Sequence, residues 1–252
     1  MYSSYESNEL LNQYLLFHYG TKEQLFPYKE SLFNEDALLG FPARCVWDGL
    51  DFDDLKSRER ALDLGCAVGR SSFELSKTFK SVHGIDYSKT FINAAEYLRT
   101  HQNHPLKLLL EGHKSLSLNV NLPPKVIPDR IKFSVGNAEA LMSELGAFDC
   151  VIACNLICRL QNPMILLNRL PDLVKPGGQL FITTPFTWLE SYTPHDKWLN
   201  ANAKDSFSGL RSALEDNGHF LLVKSWNMPF LIREHSRKFQ FSMAQASRWV
   251  RL

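Results

Sequence analysis

From residue 60 onward two patterns alternate along the chain. Short apolar runs rich in Val, Ile, Leu and Phe ("RALDLG", "SVHGID", "RIKFSVG", "FDCVIAC" and "GQLFITT") are separated by amphipathic stretches near 70–79, 88–100, 137–145 and 163–174. Runs that are apolar throughout suit strands buried on both faces, and the stretches between them suit helices that cover those faces. The pattern therefore predicts a parallel sheet covered by helices. "KPGG" is expected to close the last helix and turn the chain. After residue 205 the order reads helix ("SFSGLRSALEDNG"), strand ("HFLLVKSW") and a final strand around "RKFQFSM", which predicts an antiparallel edge and brings the strand count to seven.

Two segments lie outside this alternation. Residues 5–50 read as short helices, with Leu10, Leu11, Tyr14, Leu15 and His18 on one face of "NELLNQYLLFHYG". They predict a cap over the sheet, within residues 1–55. Residues 106–122 alternate with period two on either side of "EGHK", so a β-hairpin inserted after the second helix is expected. A length of 252 residues suits one domain, with the core in residues 56–252.

Composition narrows the partners. With 28 Lys and Arg against 27 Asp and Glu, nothing predicts a broad footprint for nucleic acid or an anionic membrane, and a small-molecule partner is expected. The five cysteines contain no CxxC pair and cluster in apolar segments, which suits reduced core thiols, a cytoplasmic location and no bound metal. No basic leader or membrane-length apolar run is present, so a soluble, untargeted chain is expected.

"ALDLGCAVGRSSFEL" carries the first chemistry. A strand that runs through a glycine turn into a helix, at the carboxyl edge of a parallel sheet, lets backbone approach a ligand closely. Its spacing is G-x-x-x-G (Gly65, Gly69), without the G-x-G-x-x-G that seats a pyrophosphate on a helix N-terminus. Asp63 precedes the turn, and Asp86 ends the next strand in "GIDYS", where a carboxylate can accept both hydroxyls of a ribose. The pattern favours an adenosine over a dinucleotide or a triphosphate.

These residues resemble the class I S-adenosylmethionine-dependent methyltransferases. "DLGCAVG" is similar to their glycine motif, "GIDYS" to their ribose acid, and "GNAEAL" at 136–141 to their adenine-contacting turn, with Asn137 where Asp is commoner. The resemblance implies a Rossmann-like seven-stranded sheet and S-adenosylmethionine as cofactor. It assigns Asp63, Gly65, Cys66, Gly69, Asp86, Tyr87, Asn137, Ala138 and Asn155 to cofactor binding. In "ACNLICRLQNP" Asn155 is followed by Leu and Ile, and by no Pro-Pro-aromatic motif, which argues against methylation of a nucleobase amine.

"YESNELLNQYLLFHYG", "CNLICRLQNP", "TPFTWLESYTP" and "MPFLIREHSRKFQF" further resemble the methyltransferases of ovothiol biosynthesis. That resemblance implies methyl transfer to an imidazole ring nitrogen of 5-thiohistidine, giving ovothiol A, with the substrate supplied by a separate sulfoxide synthase. The alternatives are a methyltransferase for another small metabolite and a non-catalytic relative that binds adenosyl ligands. Intact Asp63, Gly65, Gly69 and Asp86 disfavour the last.

Such a transfer needs alignment more than acid or base strength, and the softer sulfur has to be restrained. Arg159, Arg233 and Arg44 are candidates to grip the carboxylate, and Glu190 or Glu234 the ammonium. Asn155 could orient the ring, with Arg159 four residues on at the same side of the pocket, and His18 or His235 could take a proton. Tyr14, Tyr19, Trp188 and Tyr192 could wall the pocket or meet the sulfonium.

Overall fold

A computed structural model describes residues 3–28, 37–216 and 218–252. In chain order the elements are helices α1 (Asn8–Tyr19), α2 (Lys22–Leu25) and α3 (Phe41–Trp47), strand β1 (Arg60–Leu64), α4 (Arg70–Leu75), β2 (Ser81–Asp86) and α5 (Lys89–His101). A hairpin of β3 (Asn103–Glu111) and β4 (Lys114–Asn121) follows, then β5 (Ile131–Val135), β6 (Phe148–Cys154), α6 (Pro163–Leu173), β7 (Val174–Thr184), α7 (Ser206–Glu215), β8 (Phe220–His235) and β9 (Lys238–Arg251).

Seven strands form one sheet in the order β5-β2-β1-β6-β7-β9-β8. The first five are parallel, and β9 runs antiparallel to both of its neighbours. Apolar residues on both faces of these strands explain the two clusters that sandwich the sheet. One cluster packs α1, α3, α4 and α5 against one face, and the other packs α6 and α7 against the opposite face. In-register pairing of Leu64 with both Ile85 and Ala153 brings the carboxyl ends of β1, β2 and β6 to one edge. The strand order reverses at β1 and β6, the position where open α/β sheets leave a crevice for a ligand.

The cap forms as α1 to α3, although residues 29–36 of the expected cap lie outside the described residues. Ser7 caps α1 through its hydroxyl, and the final turn, Leu15 to Tyr19, is buried on every side. The inserted hairpin forms a separate two-stranded sheet, with Leu106 paired to Leu118 and Leu108 to Leu116.

Three expectations are corrected. Residues 137–145 form a turn and one short 3-10 segment, Ser143–Leu145, with no α-helix. There the Asn137 side chain accepts the Glu139 N–H at 2.9 Å, a local bond that competes with a helix. "KPGG" does not turn the chain away: α6 ends at Leu173 and β7 begins at once, absorbing the extra residues in a bulge with Gly177 at φ 76°. The final antiparallel pair is also far longer than expected, 16 and 14 residues. Only Gln245 to Val250 of β9 pair with β7, so the far half of β8–β9 runs on as an arm across the carboxyl edge of the sheet. Ser236 N–H to the Leu110 carbonyl (3.0 Å) and Arg44 to the Pro229 carbonyl (2.7 Å) fasten the arm to the hairpin and the cap. No helix among the described residues is long and apolar enough to cross a membrane.

Candidate active site

A cavity of about 520 Å³ opens at this edge, within the range of small-molecule sites. Its floor begins at the turn after β1. Gly65 has φ 71°, and a Cβ there would stand 3.0 Å from Leu156, so the turn closes only with glycine. Gly69, at φ 85°, caps α4, and its missing Cβ makes room for Phe133 at 2.6 Å. It is not among the residues that line the cavity, and its place in the fold is the packing behind the turn.

Asp86 is the best-anchored group on the floor. One carboxylate oxygen accepts the Ala67 N–H and the other the Ser88 N–H, both at 2.8 Å, which fixes the side chain with acceptor capacity left for a ligand. Burial pushes its carboxyl up to about 6, against the lowering effect of those two bonds. Asp63 lies beneath, accepting the Ser72 hydroxyl at 2.6 Å, and burial pushes it up to about 7. Cys66, Tyr87, Asn137 and Ala138 also line the cavity, with the Cys66 thiol pushed up by burial. The acceptor oxygen of Asn137 is engaged by its own turn, which leaves the amide N–H groups for a ligand. Glu139 ties that turn to the start of α6 by accepting the N–H groups of Gln161 (3.0 Å) and Asn162 (2.7 Å).

Asn155, just beyond β6, is held at φ 54°. Thr183 on β7 explains how: its carbonyl and hydroxyl accept the Asn155 N–H (2.8 and 3.2 Å), and its hydroxyl donates to the Asn155 side-chain oxygen (3.1 Å). One turn later the Arg159 guanidinium donates to the Thr187 carbonyl at 2.8 Å and sits 5.1 Å over the Tyr192 ring. The rings of Tyr5, Tyr14, Phe91 and Tyr192 form a connected aromatic cluster beside it. Burial pushes the Tyr5 hydroxyl up to about 12, although the Arg159 charge pulls the other way. His18 lines the same cavity and is 7 % exposed; burial, reinforced by the Arg70 charge, pushes its ring down to about 3. At neutral pH its ring is uncharged, and burial makes it a weak proton acceptor.

Other candidates fall elsewhere, none of them lining the cavity. Arg233 is 4 % exposed and donates to the carbonyls of Gln24 and His235, joining α2 to the arm. Arg44 donates to the carbonyls of Ala37 and Pro229. Trp188 donates to the Ser206 hydroxyl and packs with Phe186 and Trp198. Glu190 is exposed on a turn. Glu234 pairs with Lys238 at 2.7 Å, and His235 accepts the Arg237 N–H at the arm's tip. Tyr19 donates to the Val68 carbonyl at 2.7 Å and supports the glycine turn from behind.

The arm supplies wall residues that the sequence reading missed. Phe230 pairs with Ser242 and Ile232 with Gln240 across the ladder, and all four line the cavity. Period-two alternation puts Phe230 and Ile232 on one face and Arg233 on the other. Reading "PFLIR" and "FQFSM" as one long hairpin would have found them. Tyr5 was also missed, since an aromatic three residues before a helix begins carries no signal of its own.

Residues 48–241 match the family described as Methyltransferase domain, and the chain belongs to that family. It is 26 % identical over 126 residues to the ubiquinone biosynthesis O-methyltransferase of Coxiella burnetii, covering 50 % of this chain and 43 % of that protein. It is 27 % identical over 133 residues to phosphoethanolamine N-methyltransferase 2 of Caenorhabditis elegans, covering 52 % and 25 %. The matches span less than half the length of both relatives. A SAM-dependent methyltransferase from Methanosarcina mazei has the same fold, with a TM-score of 0.53, 17 % identity and coverage of 81 % of this chain and 99 % of that one. S-adenosylmethionine is the methyl donor that the family and the anchored acid of this cavity fit.

Proposed function

We propose that this methyltransferase methylates an imidazole ring nitrogen of 5-thiohistidine, giving ovothiol A. The observation that carries the reading is the charge pattern of the cavity. Among the described lining residues Arg159 is the only Arg or Lys, and the only carboxylates are Asp63 and Asp86 on the cofactor's side. That favours a small acceptor with a carboxylate for Arg159 and a flat ring for the tyrosine cluster. Gln13, Gln240 and Ser242 offer neutral acceptors for an amino group in place of the acids expected from the sequence.

S-adenosylmethionine supplies a methyl group on positively charged sulfur; the ring nitrogen's lone pair forms the new N–C bond, and the C–S bond breaks with its electron pair left on sulfur. The chain's task is alignment. Asp86 holds the ribose hydroxyls, Asn137 and Ala138 meet the adenine, and Asn155, immobilised by Thr183, orients the acceptor ring. Arg159 holds the acceptor's carboxylate. No residue has to remove a proton: with the thiol ionised, the reacting nitrogen already bears a lone pair, and the product is a zwitterion with no net ring charge. A separate sulfoxide synthase would supply the substrate.

The test is incubation of the purified chain with S-adenosylmethionine and 5-thiohistidine, followed by mass and NMR analysis for a ring N-methyl product. Plain histidine should turn over far more slowly, because groups placed to pair with sulfur are then left unpaired. Comparable turnover of histidine, or preferred methylation of a catechol oxygen or of phosphoethanolamine, would overturn the reading.

A further inference from the structure

His18 presents an unexplained polar group. Its ring lines the cavity, yet Nδ1 is sealed and has no hydrogen-bond partner. Phe17 packs edge-on against it, and Tyr14 and Tyr19 lie at 5.8 and 6.1 Å between ring centres, so neighbours on α1 fix its plane. The charged and titratable groups around it are Tyr14, Tyr19 and the Arg70 guanidinium, which donates to the His18 carbonyl at 2.9 Å; Asp63 and Asp86 line the cavity floor.

A neutral imidazole carries one proton, on either nitrogen. Placed on Nδ1, that proton would be a buried donor without an acceptor, the kind of orphan that folded proteins avoid more strictly than a bare acceptor. The proton therefore belongs on Nε2, the nitrogen of this cavity-lining ring that is not among the sealed, unpartnered atoms. We infer that His18 is a positioning residue whose Nε2–H donates to the sulfur of the acceptor, so that the ring nitrogen and not the sulfur meets the methyl group. This rests on the reading of the acceptor as a thiolated imidazole. A thiolate that accepts a fixed N–H has a lone pair engaged and is a poorer nucleophile. The same bond sets which edge of the ring faces Asn155. His18 stays neutral throughout: it lends a hydrogen bond and neither gains nor loses a proton in the transfer.

Two variants and one spectrum test this. His18→Leu removes the donor, while His18→Gln can return an amide N–H to the position of Nε2. The expected result for His18→Leu is a fall of about tenfold or more in the ratio of N-methyl to S-methyl product, with His18→Gln restoring most of it. Both should bind S-adenosylhomocysteine as the wild type does. Unchanged N-methyl selectivity in a folded His18→Leu chain would overturn the proposal. In parallel, 15N spectra of the histidine rings in the wild-type chain with S-adenosylhomocysteine should show His18 as a neutral Nε2–H tautomer that does not titrate between about pH 5 and 8. Addition of 5-thiohistidine should then shift its Nε2 signal. An Nδ1–H tautomer, or a signal that 5-thiohistidine leaves unmoved, overturns the assignment even if His18→Leu does not fold. A wild-type chain that makes neither methyl product defeats the thiohistidine reading instead, and the tautomer still decides whether His18 offers a donor.

Discussion

The two halves of the cavity are built in opposite ways. The half proposed for the cofactor comes from the turns after β1, β2, β5 and β6, where adjoining strand ends and their own turns hold each group: Asp86 accepts from Ala67 and Ser88, Asn137 from Glu139, and Asn155 is held by Thr183. The half proposed for the acceptor comes largely from the two ends of the chain. Tyr5, Tyr14 and His18 line the same cavity as Phe230, Ile232, Gln240 and Ser242, which the long β8–β9 arm carries there. A site whose first half sits on adjoining ends of the parallel strands and whose second is assembled from the two ends of the chain can keep one cofactor while changing its acceptor. The relatives, one methylating oxygen and another nitrogen by their names, fit that division.

If the division is real, substitutions should separate cleanly. The largest effect is expected for Asp86→Ala. With Asp86 at the ribose as proposed, it removes two charge-assisted bonds, each on the order of 1.5–3 kcal/mol, so the affinity for S-adenosylhomocysteine should fall by about 100-fold or more. Calorimetry measures it, and circular dichroism should show the fold retained. An affinity within a few-fold of wild type would break the comparison at its stronger half.

The same division explains what could be read from the sequence. "LDLGCAVGR" and "GIDYS" were legible because a glycine turn and a strand-ending acid are determined by neighbours in sequence. For Gly69 the sequence shows only that a small residue is needed, since a positive φ serves binding and packing alike, and the closeness of Phe133 shows the packing. That Arg159 shares the cavity with Asn155 was legible through their spacing. Arg233, Arg44, Trp188 and Glu190 were not, since an isolated cation or aromatic reads alike whether it lines a pocket or straps two segments. The arm's length depends on pairing between β8 and β9 beyond the reach of β7, a tertiary fact, so its cavity face stayed hidden.

A second substitution addresses the acceptor half. Arg159→Ala should raise the KM for 5-thiohistidine by about 10- to 150-fold, equivalent to roughly 1.5–3 kcal/mol, and leave the affinity for S-adenosylhomocysteine within about twofold. Arg159→Lys should recover only part, because an ammonium lacks the planar fork. Steady-state kinetics beside calorimetry checks both, and a parallel loss of cofactor affinity would mean that the halves are coupled.

Titration sharpens the contrast without mutation. Binding to ribose hydroxyls needs Asp86 ionised, and its carboxyl sits at about 6 in the ligand-free chain. Affinity for S-adenosylhomocysteine should therefore be level above that pH and fall below it, by about tenfold per pH unit, because a proton then competes with the ligand. Asp86→Ala should remove the step at about 6 and leave only what Asp63 contributes, whose carboxyl burial pushes up to about 7. His18, at about 3, adds no further step near neutrality. A wild-type profile that stays flat from about pH 7 to 5 would show Asp86 already ionised without ligand, or not at the ribose.

The smallest kinetic effect is expected from Arg233, and that is its value. It lies on β8 next to Ile232, but alternation turns it to the opposite face, where it donates to the Gln24 and His235 carbonyls. Arg233→Ala leaves those acceptors short of a donor, at a cost on the order of 1–3 kcal/mol. For a chain of this length that lowers the thermal midpoint by about 2–10 °C. KM for 5-thiohistidine should change by less than about twofold, since the cavity face of the arm keeps its ladder pairing with β9. A strap and a substrate ligand differ in which of these two numbers moves. If the midpoint holds and KM rises as steeply as in Arg159→Ala, then Arg233 grips the acceptor and the arm's two faces have exchanged roles.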